Sequence, residues 1–119
     1  MITRKEKEQM VEAVTDDLKQ ASLIVITDYR GLNVDGISNL RNSLRAEQCL
    51  YRVTKNTLTR LACRRAGLEA LEQYLTGPTA IAFTRADPVT AARILIRFSG
   101  ENKTFSIKGG ILEGQLLSP

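Results

Sequence analysis

The segment RVTKNTLTRLACRR, residues 52–65, leaves a β-branched, apolar stretch and enters a helical pattern closed by Gly67. That strand-to-helix passage sets the reading of the rest of the chain. At 100° per residue, Leu58, Leu61 and Ala62 share one arc of the helix, and Asn56, Arg60 and Arg64 form an i, i+4, i+8 stripe elsewhere, with Thr57 beside it. Lys55 opens the helix against its own dipole, at a cost of roughly 0.3–1 kcal/mol that a bound anion reverses. The first-turn N–H groups together with Lys55, Asn56 and Thr57 therefore offer a phosphate site, which Arg60 and Arg64 extend along a nucleic-acid backbone. The same residues also fit a plainer reading, a surface lysine followed by an Asn or Thr helix cap. Arg65 falls inside the apolar arc, where it is expected to snorkel or pair internally.

Outward from this segment, helices and strands alternate. Thr3 stands three residues before Glu6, a capping-box spacing that starts a helix over 4–20. SLIVITDY (22–29) reads as a buried strand ending at the turn-like RGLN, after which Asn33 caps a second helix carrying Val34, Ile37, Leu40 and Leu44. LYRVT (50–54) is the second strand, and a short helical piece over 68–75 follows the 55–66 helix. TGPT (76–79) turns into the strand TAIAFT (79–84), and Asp87 with Pro88 starts another helix. KTFSIKGGILEG is expected to give a strand, a Gly-Gly turn or bulge, and a second apolar strip. The order α-β-α-β-α-α-β-α-β predicts a single compact α/β domain over residues 1–119, a central mixed β-sheet with helices packed on it.

Charge is placed unevenly. The chain has 119 residues and a net charge of +4, yet residues 41–65 hold Arg41, Arg45, Arg52, Lys55, Arg60, Arg64 and Arg65 against Glu47 alone. That segment carries +6 and leaves −2 for the remainder, the local footprint of a polyanion partner or of a solvated arginine face. With no histidine, imidazole base chemistry and imidazole metal ligation are excluded. Cys49 and Cys63 have no paired-ligand spacing and read as buried thiols in a reducing compartment. No nucleophile has a plausible base, KGGILEG lacks the Walker A order, and no cofactor or metal is implied. The N-terminus has no apolar leader core and no run is long enough to span a bilayer, so a soluble, cytosolic protein is expected.

Three further stretches offer weaker candidates. Tyr29, Arg30 and Gly31 sit at the C-terminal end of the first strand, where Tyr29 is placed either to stack on a base or to pack on the core, and Arg30 to fork onto a phosphate. Thr76, Gly77 and Pro78 form a tight turn with backbone donors. Arg4 and Lys5 oppose the dipole of the first helix, although Arg4 and Glu8 stand at pairing distance.

ITDYRGLNVDGISNLRNSLR, YRVTKNTLTRLA, LTGPTAIAF, DPVTAARIL and IKGGILEG, in this order and spacing, resemble the N-terminal domain of the bacterial and organellar large-subunit ribosomal protein ten family, over nearly all 119 residues. The resemblance implies a non-enzymatic domain of the large ribosomal subunit that binds rRNA at the GTPase-associated region beside ribosomal protein eleven. It implies a ribosomal location, cytoplasmic or organellar, and contacts led by Lys55, Asn56, Thr57 and Arg60. In this family a long C-terminal helix carries dimers of the acidic stalk protein. Nothing after GQLLSP continues into such a helix, so stalk-dimer binding is not expected of these residues. Thr54 and Leu61 stand where relatives often carry an apolar and a basic residue. The competing reading from the residues alone is a small enzyme acting on a phosphorylated metabolite at the Lys55 helix start; it requires an enclosed pocket. A pure protein-interaction module would leave the cation cluster without a use.

Overall fold

In the computed structural model, which describes residues 3–117, the first strand β1 (Leu23–Asp28) is the spine of the molecule. Leu23, Ile24, Val25 and Ile26 are all buried because helices cover both faces of the sheet, and each contributes roughly 2 kcal/mol of apolar burial. Their alternation sorts the core into two layers. Ile24 and Ile26 face α1 (Arg4–Gln20), α3 (Asn56–Arg65) and a 3-10 helix, Glu69–Tyr74, joining Val11, Leu18, Cys63 and Leu71. Leu23 and Val25 face α2 (Val34–Ala46) and α4 (Pro88–Glu101), joining Leu40, Leu44, Leu95 and Phe105.

The remaining strands are β2 (Cys49–Val53), β3 (Ala80–Thr84), β4 (Ser106–Leu112) and β5 (Gln115–Leu117), in the order β2-β3-β1-β4-β5. The α/β domain stands as expected, but its sheet is not mixed: every neighbouring pair is antiparallel. The reason is topological. The crossover through α2 leaves β1 and β2 pointing the same way, but β3 enters between them; likewise β1 lies between β3 and β4.

Gly109 and Gly110 do not turn the chain. They lie within β4, and the register slips between Ile26↔Gly109 and Thr27↔Ile107, which makes Lys108 the extra residue of a β-bulge. Gly110 is required by closeness, since a Cβ there would come 2.2 Å from the Ile24 carbonyl oxygen. The turn comes later, at Glu113–Gly114, both at positive φ, and produces β5, a strand the sequence reading did not anticipate. The last residues of GQLLSP, 118 and 119, lie outside the described residues.

Three of the four α-helices carry a side-chain cap. The Thr3 hydroxyl accepts from Glu6 N–H at 3.1 Å, Asn33 Oδ1 from Gly36 N–H at 2.7 Å, and Asp87 Oδ1 from Val89 N–H at 2.9 Å. The exception is α3, whose N-cap is Lys55 and has no side-chain cap bond. Its inward face also departs from expectation. Thr59, Ala62 and Cys63 are buried, whereas Leu61 is 42% exposed. Thr59 tolerates burial because its hydroxyl bonds the Thr54 hydroxyl at 2.6 Å and the Lys55 carbonyl at 3.0 Å.

Candidate nucleic-acid interface

The turn Thr76–Thr79 leads from the 3-10 helix into β3, and the four carbonyls of residues 75–78 all accept from side chains of the domain. Arg60 Nη2 donates to the Leu75 carbonyl at 2.8 Å, and Asn56 Nδ2 to that of Gly77 at 2.9 Å. From the opposite side, Lys108 Nζ donates to the carbonyls of Thr76 and Pro78, the latter at 3.2 Å, and to the Thr79 hydroxyl at 3.2 Å. The peptides of the described residues are trans, so a carbonyl turned inward sends the N–H of the following residue outward. The amides of Thr76 and Gly77, both exposed, use no hydrogen bond among the described residues. A turn with its acceptors tied down and its donors outward is a surface for anions.

The DYRG turn lies alongside. Leu32 N–H donates to the Tyr29 carbonyl at 3.0 Å, with Gly31 at φ +94°, a geometry that suits glycine at the third position of the turn. Arg30 Nη2 donates to Asp28 Oδ2 at 2.8 Å and lies 3.5 Å from where a Gly77 Cβ would sit. The hydrogen bond from the Arg30 side chain holds the Asp28 carboxyl below the usual aspartate value, and burial lowers the Lys108 ammonium from its ordinary value. The Arg30 side chain stays 69% exposed, so its remaining donors face solvent beside the turn.

These contacts bring together Lys55, Asn56, Arg60, Thr76, Gly77, Pro78, Arg30 and Gly31, with Thr57 exposed on the first turn of α3. They also change the roles of several. Asn56 and Arg60 brace the turn, and each leaves one buried atom, Asn56 Oδ1 and Arg60 Nε, without a partner. Arg64 faces the 3-10 helix, pairing with Glu72 at 3.0 Å, so the stripe of Asn56, Arg60 and Arg64 spends much of its capacity inside the molecule. Lys55 is exposed and takes part in none of the ion pairs of the described residues.

Other candidates lie apart from the cluster. Arg52 points to the α1 side, 3.5 Å from Asp17 and over the Phe83 ring at 5.9 Å. Tyr29 is half-buried against the α2–α4 core layer. Arg4 and Lys5 are exposed on the first turn of α1 and join none of the bonds around the turn; Glu8 pairs with Arg65 at 3.4 Å instead of Arg4. Sequence reasoning missed Lys108. Asp28 was visible in the DYRG motif, whereas the place of Lys108 depends on a bulge register that no local pattern reports.

Fold and site together define a small α/β domain presenting an open, cationic, donor-rich turn cluster, the kind of surface that suits a nucleic-acid backbone. The family model for ribosomal protein L10 matches residues 2–100, and the chain belongs to that family. It is 50% identical to large ribosomal subunit protein uL10 of Acidothermus cellulolyticus, over 97% of this chain and 66% of the relative. It is 48% identical to the protein of that name from Pelotomaculum thermopropionicum, over 98% and 66%, and 43% to that of Thermomicrobium roseum, over 95% and 63%. The chain thus spans slightly less than two thirds of the length of these relatives.

Proposed function

We propose that this domain is a structural, non-catalytic component of the large ribosomal subunit that binds large-subunit rRNA and thereby anchors the ribosomal stalk. The observation that carries the proposal is the turn at 76–79, with four carbonyls held inward and two amides outward, beside an α3 start that has no side-chain cap. Lys55, the first-turn amides of α3, Thr57, the Thr76 and Gly77 amides and Arg30 grip phosphates. Asn56, Arg60 and Lys108 hold the turn in shape. A folded RNA suits such a surface because A-form helices are recognised by backbone and shape, their major-groove edges being too deep to reach. The membership in a ribosomal protein family supports the same reading and disfavours the enzyme alternative. In this reading the site lies at the GTPase-associated region next to ribosomal protein eleven, on ribosomes of the cytoplasm or of an organelle. Attachment of acidic stalk-protein dimers is assigned to none of these 119 residues.

The test is co-migration of the purified domain with a large-subunit rRNA fragment of the GTPase-associated region at moderate salt, with tRNA as competitor. Retention of the complex in excess tRNA is expected. Absence of a complex, or its loss to tRNA, contradicts the proposal.

A further inference from the structure

The outer edge of the sheet carries a second basic feature. β2 is the end strand, and beside it a groove of about 340 Å³ is lined by Arg41 and Arg45 from α2 and by all of Cys49–Val53, including Arg52, which pairs with Asp17 on the α1 side; no carboxylate lines the groove itself. Arg41 and Arg45 stand at i, i+4 on one face of α2, and none of the five ion pairs among the described residues uses either. Their Cα atoms are offset by about 6 Å along the helix, close to the step between neighbouring phosphates on one strand. Val53, at one end of the groove, leads through Thr54 to Lys55, so a single residue separates the groove's lining from the N-cap of α3.

We propose that Arg41 and Arg45 form a second phosphate-binding strip, so that the RNA held at the 76–79 turn continues along the β2 edge. The inference rests on the rRNA-binding reading. Three features favour RNA over an acidic peptide added as a sixth strand: the unpaired arginines, their spacing, and continuity with the turn cluster. Exposed Leu50 and Val53 are then edge residues kept from self-association by the flanking cations.

The test is a salt titration of binding to the same rRNA fragment by the unaltered chain, Arg41→Ala/Arg45→Ala, Arg41→Lys/Arg45→Lys and Lys55→Ala, with each thermal midpoint measured alongside. Loss of two phosphate contacts predicts that the slope of log affinity against log salt becomes shallower by about 1.4–1.8 in the alanine pair, with the lysine pair close to unaltered. An alanine pair with unchanged affinity and slope, while Lys55→Ala binds more weakly, overturns the strip and leaves the turn site standing. Affinity that falls only in step with the thermal midpoint, or a poly-glutamate competitor that needs Arg41 and Arg45 while RNA does not, also overturns it. If the unaltered chain fails to bind the fragment, the underlying reading falls and the strip with it.

Discussion

In the proposed interface Lys108 is a brace for the turn and not a ligand contact. Its three ammonium donors are all engaged, with the Thr76 and Pro78 carbonyls and the Thr79 hydroxyl, so it has none left for a phosphate. Lys108→Met is expected to weaken rRNA binding about five- to tenfold by loosening the turn, while the salt slope stays within a few tenths of the unaltered value. A drop in slope near 0.9, the signature of a lost phosphate contact, would contradict this positioning role. The two cysteines give a second residue-level expectation. Burial pushes both thiols from 9.0 to about 11, so the folded chain keeps protons that the unfolded chain releases near pH 9. Their contribution to stability is present in full below about pH 9 and is lost as pH rises toward 11, at up to roughly 1.4 kcal/mol per pH unit for each thiol. Urea midpoints measured from pH 8 to 11 should fall across that window; a flat profile would contradict it. Residues also mark where sequence patterns misled. Leu61 lies in the apolar arc of α3, yet Thr59 and Cys63 are the buried side chains, because two local hydrogen bonds make the Thr59 hydroxyl compatible with the core. A wheel drawn from hydrophobicity alone does not register such a bond.

At the scale of elements, the glycines of the second half separate into required and replaceable. Gly110→Ala would force a Cβ against the Ile24 carbonyl across the β1–β4 pair and is expected to destabilise the fold by about 2 kcal/mol or more. Gly100→Ala, in α4 with open space around it, is expected to stabilise by roughly 0.5–1 kcal/mol. Chemical denaturation of the two variants checks both signs; equal effects would undo the reading of β4 as a continuous strand pressed against β1. The helices were legible because their caps are local: Thr3, Asn33 and Asp87 each bond an N–H two or three residues on. Strand pairing was not, since the antiparallel sheet depends on β3 entering between β1 and β2, a long-range fact. The same holds for the site. Lys55, Asn56 and Arg60 stood out on their own helix, but their partner turn is some 20 residues further on, and the lysine across it belongs to a bulge in β4.

The whole molecule uses its +4 charge unevenly, as the +6 of residues 41–65 foretold, yet much of that excess is consumed internally. Arg52, Arg64 and Arg65 pair with Asp17, Glu72 and Glu8, and Arg60 holds the Leu75 carbonyl. What remains of that excess is Lys55 beside the 76–79 turn and Arg41 and Arg45 along the edge of the sheet, to which Arg30, paired with Asp28 but largely exposed, adds its solvent-facing donors. On the proposed reading such a surface binds through few phosphates and through shape, and its affinity is expected to depend strongly on salt but less than the raw cation count suggests. The most direct measurement is therefore a salt titration of rRNA-fragment binding with the unaltered chain and with Lys55→Ala combined with Arg30→Ala. The double variant is expected to bind more weakly with a slope shallower by about 1.4–1.8, for two lost phosphate contacts, at an unchanged thermal midpoint. Unchanged affinity and slope in that variant would contradict the proposed interface.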